Sequence, residues 1–394
     1  MTTKTTLASF LVLTILGLGI SQMAFAEETI ILDPTSSEGA SCLAKMQEDT
    51  QQKHESSKLH IQKAIAAARS SDSLTTEVKN DQYKYEAVTQ GWNMDPATCT
   101  VGLIETGVHF RATDSEGKTR EIIVKIDPKT DRPVDVKVIH DEDRPTHAGT
   151  ISTTNFAGHA IRGAASEASS QVYQAYMSYI VPTPNDPAGF DCGTTNSTAC
   201  WISIWTGLTT NDDTAYPMVQ TGTDSVCKGT NCTTARAYYQ WFEIVDASNV
   251  STPLSCVTNL LVSAGDSMSS QVTNDKKTGG SNASYDLFLI NITDNLQCTL
   301  LDKAGNFGDP KYGLYVAERV KVGSTITKLA SFTDITNVYG TIYYGGTNNG
   351  IYVPWNLGWN NEYLMLNPTT NIDATSVASN SKFTFDYITS AGTN

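Results

Sequence analysis

The feature that most constrains the fold is a succession of short aromatic and β-branched stretches, at 173–181, 199–204, 218–221, 237–245, 285–292, 313–322, 339–344, 351–355 and 382–388. Clusters of Gly, Asn, Asp, Ser and Thr separate them at intervals of roughly ten to twenty residues, the pattern of antiparallel strands in a sandwich rather than of alternating strands and helices. No helical stretch of useful length interrupts the series. The expectation is an all-β, two-sheet antiparallel sandwich or jelly roll over residues 151–394.

The upstream part is a different material. Residues 27–150 carry 37 charged residues in 124 positions, against 30 in the 244 positions that follow. From Ser41 to about Tyr85, Lys, Gln, Glu and Ala dominate, and Leu59, Ile61, Ile65 and Ala66 recur at helical spacing. One long helix is expected there, ending near the Ser70–Ser73 cluster. Alternating stretches at 101–111, 120–126 and 134–139, with turns at 114–117 and 127–131, then predict a β-meander. This is a small α+β module, similar in outline to PepSY-type propeptide domains. The polar, proline-containing run 141–146 is read as the linker. Net charge is -7 for the module and -8 for the rest, so an inhibitory module would act by shape or specific contacts, not by bulk charge.

Residues 1–26 read as a secretory signal: Lys4, an apolar run from Leu7 to Ile20, and Ala24-Phe25-Ala26 as the cleavage site, with cleavage after Ala26. The run is short for a bilayer span, and no later apolar stretch is long enough, so no membrane association is expected after cleavage. The protein is therefore expected to be secreted or extracytoplasmic. Eight cysteines in such a chain favour disulfides. Spacing suggests Cys227 with Cys232, Cys192 with Cys200, and Cys256 with Cys298 or Cys42 with Cys99 across longer segments. Sequons at Asn196, Asn231, Asn249, Asn282 and Asn291 fit exposed loops. A sequence pI of 4.8, with no basic stripe, argues against nucleic acid.

The last 235 residues contain no histidine. That removes Ser-His-Asp and Cys-His catalysis and His-ligated zinc or iron from the sandwich. His159, at its start, is read as a surface ring. No Gly-rich phosphate loop or dinucleotide fingerprint precedes a helix. Neither metal nor cofactor is expected, and hydrolysis here would have to run on carboxylates, amides and hydroxyls.

Six motifs then occur in order: Thr153-Thr154-Asn155-Phe156-Ala157-Gly158, Tyr179-Ile180-Val181-Pro182-Thr183-Pro184, Trp201-Ile202-Ser203-Ile204, Val219-Gln220-Thr221-Gly222-Thr223-Asp224, Tyr239-Gln240-Trp241-Phe242-Glu243 and Val262-Ser263-Ala264-Gly265-Asp266-Ser267. Together they resemble the glutamic peptidases, or eqolisins, over about residues 153–344. The resemblance implies a lectin-like sandwich, a polypeptide substrate and a catalytic Gln and Glu. The Gln is Gln220. For the Glu two registers compete, one aligning Glu318 and one Leu314, and loop lengths together with retention of the acid favour Glu318. Both face the same side of the sheet, because their numbers differ by an even count.

The implied scheme has Glu318 taking a proton from water and later protonating the leaving amine, while the Gln220 amide donates to the oxyanion. Trp201, Tyr239 and Trp241 would surround the site and raise the pKa of the Glu by burial, giving highest activity in acid. Asp224 and Glu243 would orient the site or the substrate. Three positions depart from the family: Trp205 stands where the family has an acid, Arg319 where it has Trp after the Glu, and Phe156 where it has the first Trp. The leading expectation is a secreted, acid-acting glutamic endopeptidase whose residues 27–150 are an intramolecular propeptide. The alternatives are a catalytically impaired extracellular binding protein for peptide or glycan and, last, a carbohydrate-active enzyme with paired Glu243 and Glu318.

Overall fold

The computed structural model describes residues 32–33, 36–79, 81–141, 144–146, 156–162, 171–187, 190–210, 217–248, 250–257, 260–275, 284–305, 308–344, 351–353, 360–363, 370–374 and 382–389. The signal segment, the sequons at Asn249 and Asn282, and the tail tryptophans Trp355 and Trp359 lie outside them.

The N-terminal module is α1 (Ser37–Ser56), α2 (Lys58–Arg69), α3 (Asp72–Val78), β1 (Gln82–Asp95), β2 (Thr100–Thr113), β3 (Thr119–Asp127) and β4 (Arg132–His140). Three helices thus replace the single one expected. Ser57 leaves helical geometry between α1 and α2, and Ser71 caps α3 by accepting from the Leu74 amide at 3.1 Å. Residues 82–85, the last of the stretch with helix-like composition, begin a fourteen-residue strand. After the two-residue β5 (Pro145–Thr146) come β6 (Phe156–Arg162), β7 (Val172–Ile180), β8 (Cys200–Thr209), β9 (Met218–Lys228), β10 (Ala235–Val245), β11 (Ser251–Ser255), β12 (Ser267–Asn274), β13 (Ser284–Asn291) and β14 (Leu296–Ala304). The remainder is β15 (Tyr312–Glu318), β16 (Lys321–Val322), β17 (Thr325–Ile326), β18 (Lys328–Leu329), β19 (Ile335–Tyr344), β20 (Ile351–Val353), β21 (Asn360–Tyr363), β22 (Thr370–Ala374) and β23 (Lys382–Thr389).

These strands make the antiparallel sandwich expected. The front sheet runs β11-β10-β9-β8-β15-β6-β21 and the back sheet β22-β23-β19-β7-β12-β13-β14-β1-β2-β3-β4. Between them lies the main core, where Ile202, Ile204, Val219 and Phe242 of the front sheet meet Met177, Met268, Val272, Leu287 and Leu300 of the back. His159 points into this core, fully buried with its ring 4.7 Å from that of Phe383, so it is not a surface residue. Asn291 is also buried, donating to Leu261, Asp266 and Asp294. That sequon is therefore no exposed acceptor.

The disulfides are Cys42–Cys99, Cys192–Cys200, Cys227–Cys232 and Cys256–Cys298, with no free cysteine among the described residues. They fit an oxidising compartment. No helix among the described residues is long and apolar enough to cross a membrane.

The back sheet does not stop at the sandwich. β1 pairs with β14 from Thr89 opposite Leu300 to Asn93 opposite Leu296, so the module's meander extends that sheet. The seam is buried: Trp92 packs with Met46, Ile290 and Ile292, and its indole N–H donates to Thr299 at 3.0 Å. His54 bridges Gln90 at 2.9 Å and Asp302 at 3.2 Å. Beside it, burial and then the neighbouring Asp275 carboxylate push Asp286 up to about 8. Because the seam belongs to one hydrogen-bonded sheet, Trp92→Ala should cost about 3–5 kcal/mol. Denaturation followed by far-UV circular dichroism should still show a single transition, and two separated transitions would mean that module and sandwich fold independently.

Candidate active site

The outer face of the front sheet carries the motif residues, because alternate side chains of each strand point to it. Strand register arranges them in three rows. In the first, Leu314 of β15, Gly207 of β8, Gln220 of β9 and Glu243 of β10 lie side by side. The second holds Val316, Trp205, Gly222 and Trp241, and the third Glu318, Ser203, Asp224 and Tyr239. A second apolar cluster, including Phe156, Trp205, Trp241, Leu314 and Val316, packs on this face. Gly222 separates the two indoles of the middle row, where an added Cβ would meet the Trp205 Cβ at 2.5 Å.

Gln220, Glu243, Asp224 and Glu318 are all fully buried, and each carboxylate has a donor. Gln220 Nε2 donates to Glu243 Oε2 at 2.9 Å, and Ser251 Oγ of β11 donates to the other Glu243 oxygen. Trp241 Nε1 donates to Asp224 at 3.0 Å. Trp205 Nε1 donates to Glu318 Oε2 at 2.8 Å, with its ring edge-on to Phe156 at 5.8 Å. The Gln220 amide oxygen is buried and has no hydrogen-bond partner among the described residues. Trp201 stacks on Tyr239 at 5.9 Å. Burial, and then the Asp224 charge, push the Tyr239 phenol above its usual range, which keeps it a proton donor.

The structure therefore brings Gln220 to Glu243 and sets Glu318 apart. Gln220 is level with Leu314, whereas Glu318 is level with Asp224, two rows away or about 13 Å along the strands. The Trp205 indole stands in the row between. Trp205 is more than a missing acid: it supplies the N–H that satisfies Glu318. Ser251 gave no sequence signal, since only the pairing of β11 with β10 carries it to Glu243.

The presumed linker also reaches this face. Arg144, 7% exposed, bonds Glu121 of β3 at 2.7 Å, Ser255 Oγ of β11 at 2.9 Å and the Pro253 carbonyl at 3.2 Å. With Lys137 and Ile139 of β4 it walls a cavity of about 220 Å³ whose other side is Trp201, Asp224, Tyr239 and Trp241. Arg144 of the expected linker is thus packed between the module and β11.

Residues 154–301 match the profile of the peptidase A4 family. Among solved structures, scytalido-glutamic peptidase with a transition state analog inhibitor is 16% identical at a TM-score of 0.40, covering 60% of this chain and 98% of that one. SCP-B, an eqolisin in complex with the tripeptide Ala-Ile-His, is 16% identical at a TM-score of 0.39, with the same coverage. Aspergilloglutamic peptidase from Aspergillus niger is 17% identical at 0.35, covering 48% of this chain and 99% of that one. No curated protein sequence matches the chain.

Glu121 ties the module to the face. It accepts from His109 at 2.7 Å and from the Ser255 amide at 3.3 Å, the other His109 nitrogen bonds Thr89, and the charges of Arg111, Arg144 and Lys137 act on it. Burial is the largest influence and pushes its carboxyl up. The Arg144 and Arg111 charges and the His109 hydrogen bond outweigh it and hold Glu121 down to about 2. A depressed carboxyl contributes stability above its unfolded pKa of 4.5, lost as pH falls from there through about 2, here about 3 kcal/mol. Glu121→Gln should remove that part of the pH dependence of melting between pH 5 and 2, measured by calorimetry. An unchanged slope would show that the carboxylate is not so held.

Proposed function

We propose that this protein is a secreted, acid-acting glutamic endopeptidase, with Gln220 and Glu243 as its reacting pair. The observation that carries the reading is the 2.9 Å hydrogen bond between two buried groups, each in a glutamic-peptidase motif. One N–H of the Gln220 amide is committed to Glu243. The second can donate to the oxyanion, and the partnerless amide oxygen can accept from the attacking water.

Glu243 takes the water's proton as the water oxygen bonds the scissile carbonyl carbon. When the carbon–nitrogen bond breaks, the same proton passes to the leaving amine, so atoms and charge balance. Glu318, held by Trp205, is a second acid of the cleft, with Asp224, Trp241, Tyr239 and Trp201 orienting the polypeptide. Neither metal nor cofactor enters. The signal segment and four disulfides support export, and the module is the intramolecular element that would control the site.

A second reading has one observation in its favour: Leu314 is level with Gln220, across Gly207 of β8, where the competing family register would put the Glu. On that reading the sandwich binds peptide or glycan without cutting it. Hydrolysis of acid-denatured protein at pH 2–5, followed by mass spectrometry, separates the two. Glu243→Gln should lower the rate about 10²- to 10⁴-fold and Gln220→Ala about 10²- to 10³-fold, with Glu318→Gln keeping most of it. Loss with Glu318→Gln but not with Glu243→Gln would return the role to Glu318. No cleavage by the wild type, even with the site opened, would leave the binding reading.

A further inference from the structure

We propose that residues 144–146 form an autoinhibitory strap across the third-row end of the cleft, and that the module carrying it stays in place when the strap is displaced. The inference rests on reading the outer face as a polypeptide-binding surface. At one side of the face, the buried Arg144 is fastened to the edge strand β11 through Ser255 and Pro253. The next two residues, Pro145 and Thr146, pair with Val322 and Lys321. Those lie just past Glu318, and Val322 packs with Trp201 and Val226.

In the sheet, β10, β9 and β8 separate β11 from β15. Three consecutive residues and one long side chain therefore tie the two sides together, and Arg144 walls the cavity over Trp201, Asp224, Tyr239 and Trp241. A polypeptide laid along the same residues must occupy that ground. The strap also accounts for a cleft whose acids are shielded from solvent at its third-row end, Asp224 and Glu318 among them.

Release of the whole module is not the way to open it. β1 continues the back sheet through β14, with Trp92, Thr50 and His54 bonded to Thr299, Gln297 and Asp302 across the seam. Displacing or cutting the strap leaves those contacts intact. The opened protein would then keep its module as a bound part of the sandwich, in one chain or in two.

The test uses the full chain with Arg144→Ala and, separately, Thr146→Pro, which removes a backbone N–H from the two-residue β5. Binding of fluorescent peptides from a denatured-protein digest is read by anisotropy at pH 4, alongside hydrolysis. Hydrogen exchange of β1 and β14 reports whether the module remains seated. If the strap holds most molecules closed, apparent affinity rises about tenfold or more in either variant while β1 and β14 stay protected. Tighter binding without hydrolysis in any chain would support the strap and sink the peptidase reading. Wild-type hydrolysis and binding equal to those of both seated variants would overturn the strap and leave the peptidase reading standing. Exchange in β1 and β14 that rises together with binding would overturn retention of the module.

Discussion

The register of β9 between β8 and β10 is the constraint on which the site depends. With Gln220 fixed opposite Glu243 on one side and Gly207 on the other, the rest of the face follows by strand periodicity. A slip of one residue would turn Gln220, Asp224, Trp241 and Glu243 into the inter-sheet core, where unpaired carboxylates are prohibitively costly. The inner face is correspondingly strict, because Val219, Phe242, Ile204 and Ile202 fill the main core only in this register. The same hydrophobic core that builds the sandwich therefore aims the polar groups outward.

Once aimed, those groups are buried by the indoles and by the chain that crosses over them, and burial sets their requirements. A carboxylate out of water needs donors, and each acid finds an indole, amide or hydroxyl: Trp241 for Asp224, Trp205 for Glu318, Gln220 and Ser251 for Glu243. Trp205 belongs to this economy. A second acid at its position would stand next to Glu318 without the N–H that now holds it, so the replacement of an acid by an indole there is a change of partner as much as a loss.

Much of this was legible in the sequence. The strands announced themselves through turn spacing, the cysteine pairs through their separations, and the motif residues through order. Strand parity alone put Leu314 and Glu318 on one face. What could not be read was the level of β15 against β9, since that depends on the lengths of intervening loops rather than on any local pattern, and it decides whether Glu318 or Leu314 is level with Gln220. β1 escaped notice because its first residues, Gln82, Lys84 and Glu86 among them, carry helix-like composition and stay largely outside the core. Only pairing with β2 and β14 makes them a strand. Arg144 looked like linker because ion pairing to Glu121 is a contact between distant residues, invisible to composition.

The account stands on Gln220 being held by Glu243 rather than by Glu318. Nitrogen NMR of the side-chain amide of Gln220, in protein labelled at glutamine, tests this directly. Glu243→Gln should move the Gln220 resonance strongly and speed exchange of its amide hydrogens, and Glu318→Gln should leave both nearly unchanged. The reverse pattern would contradict the pairing and with it the assignment of the reacting groups.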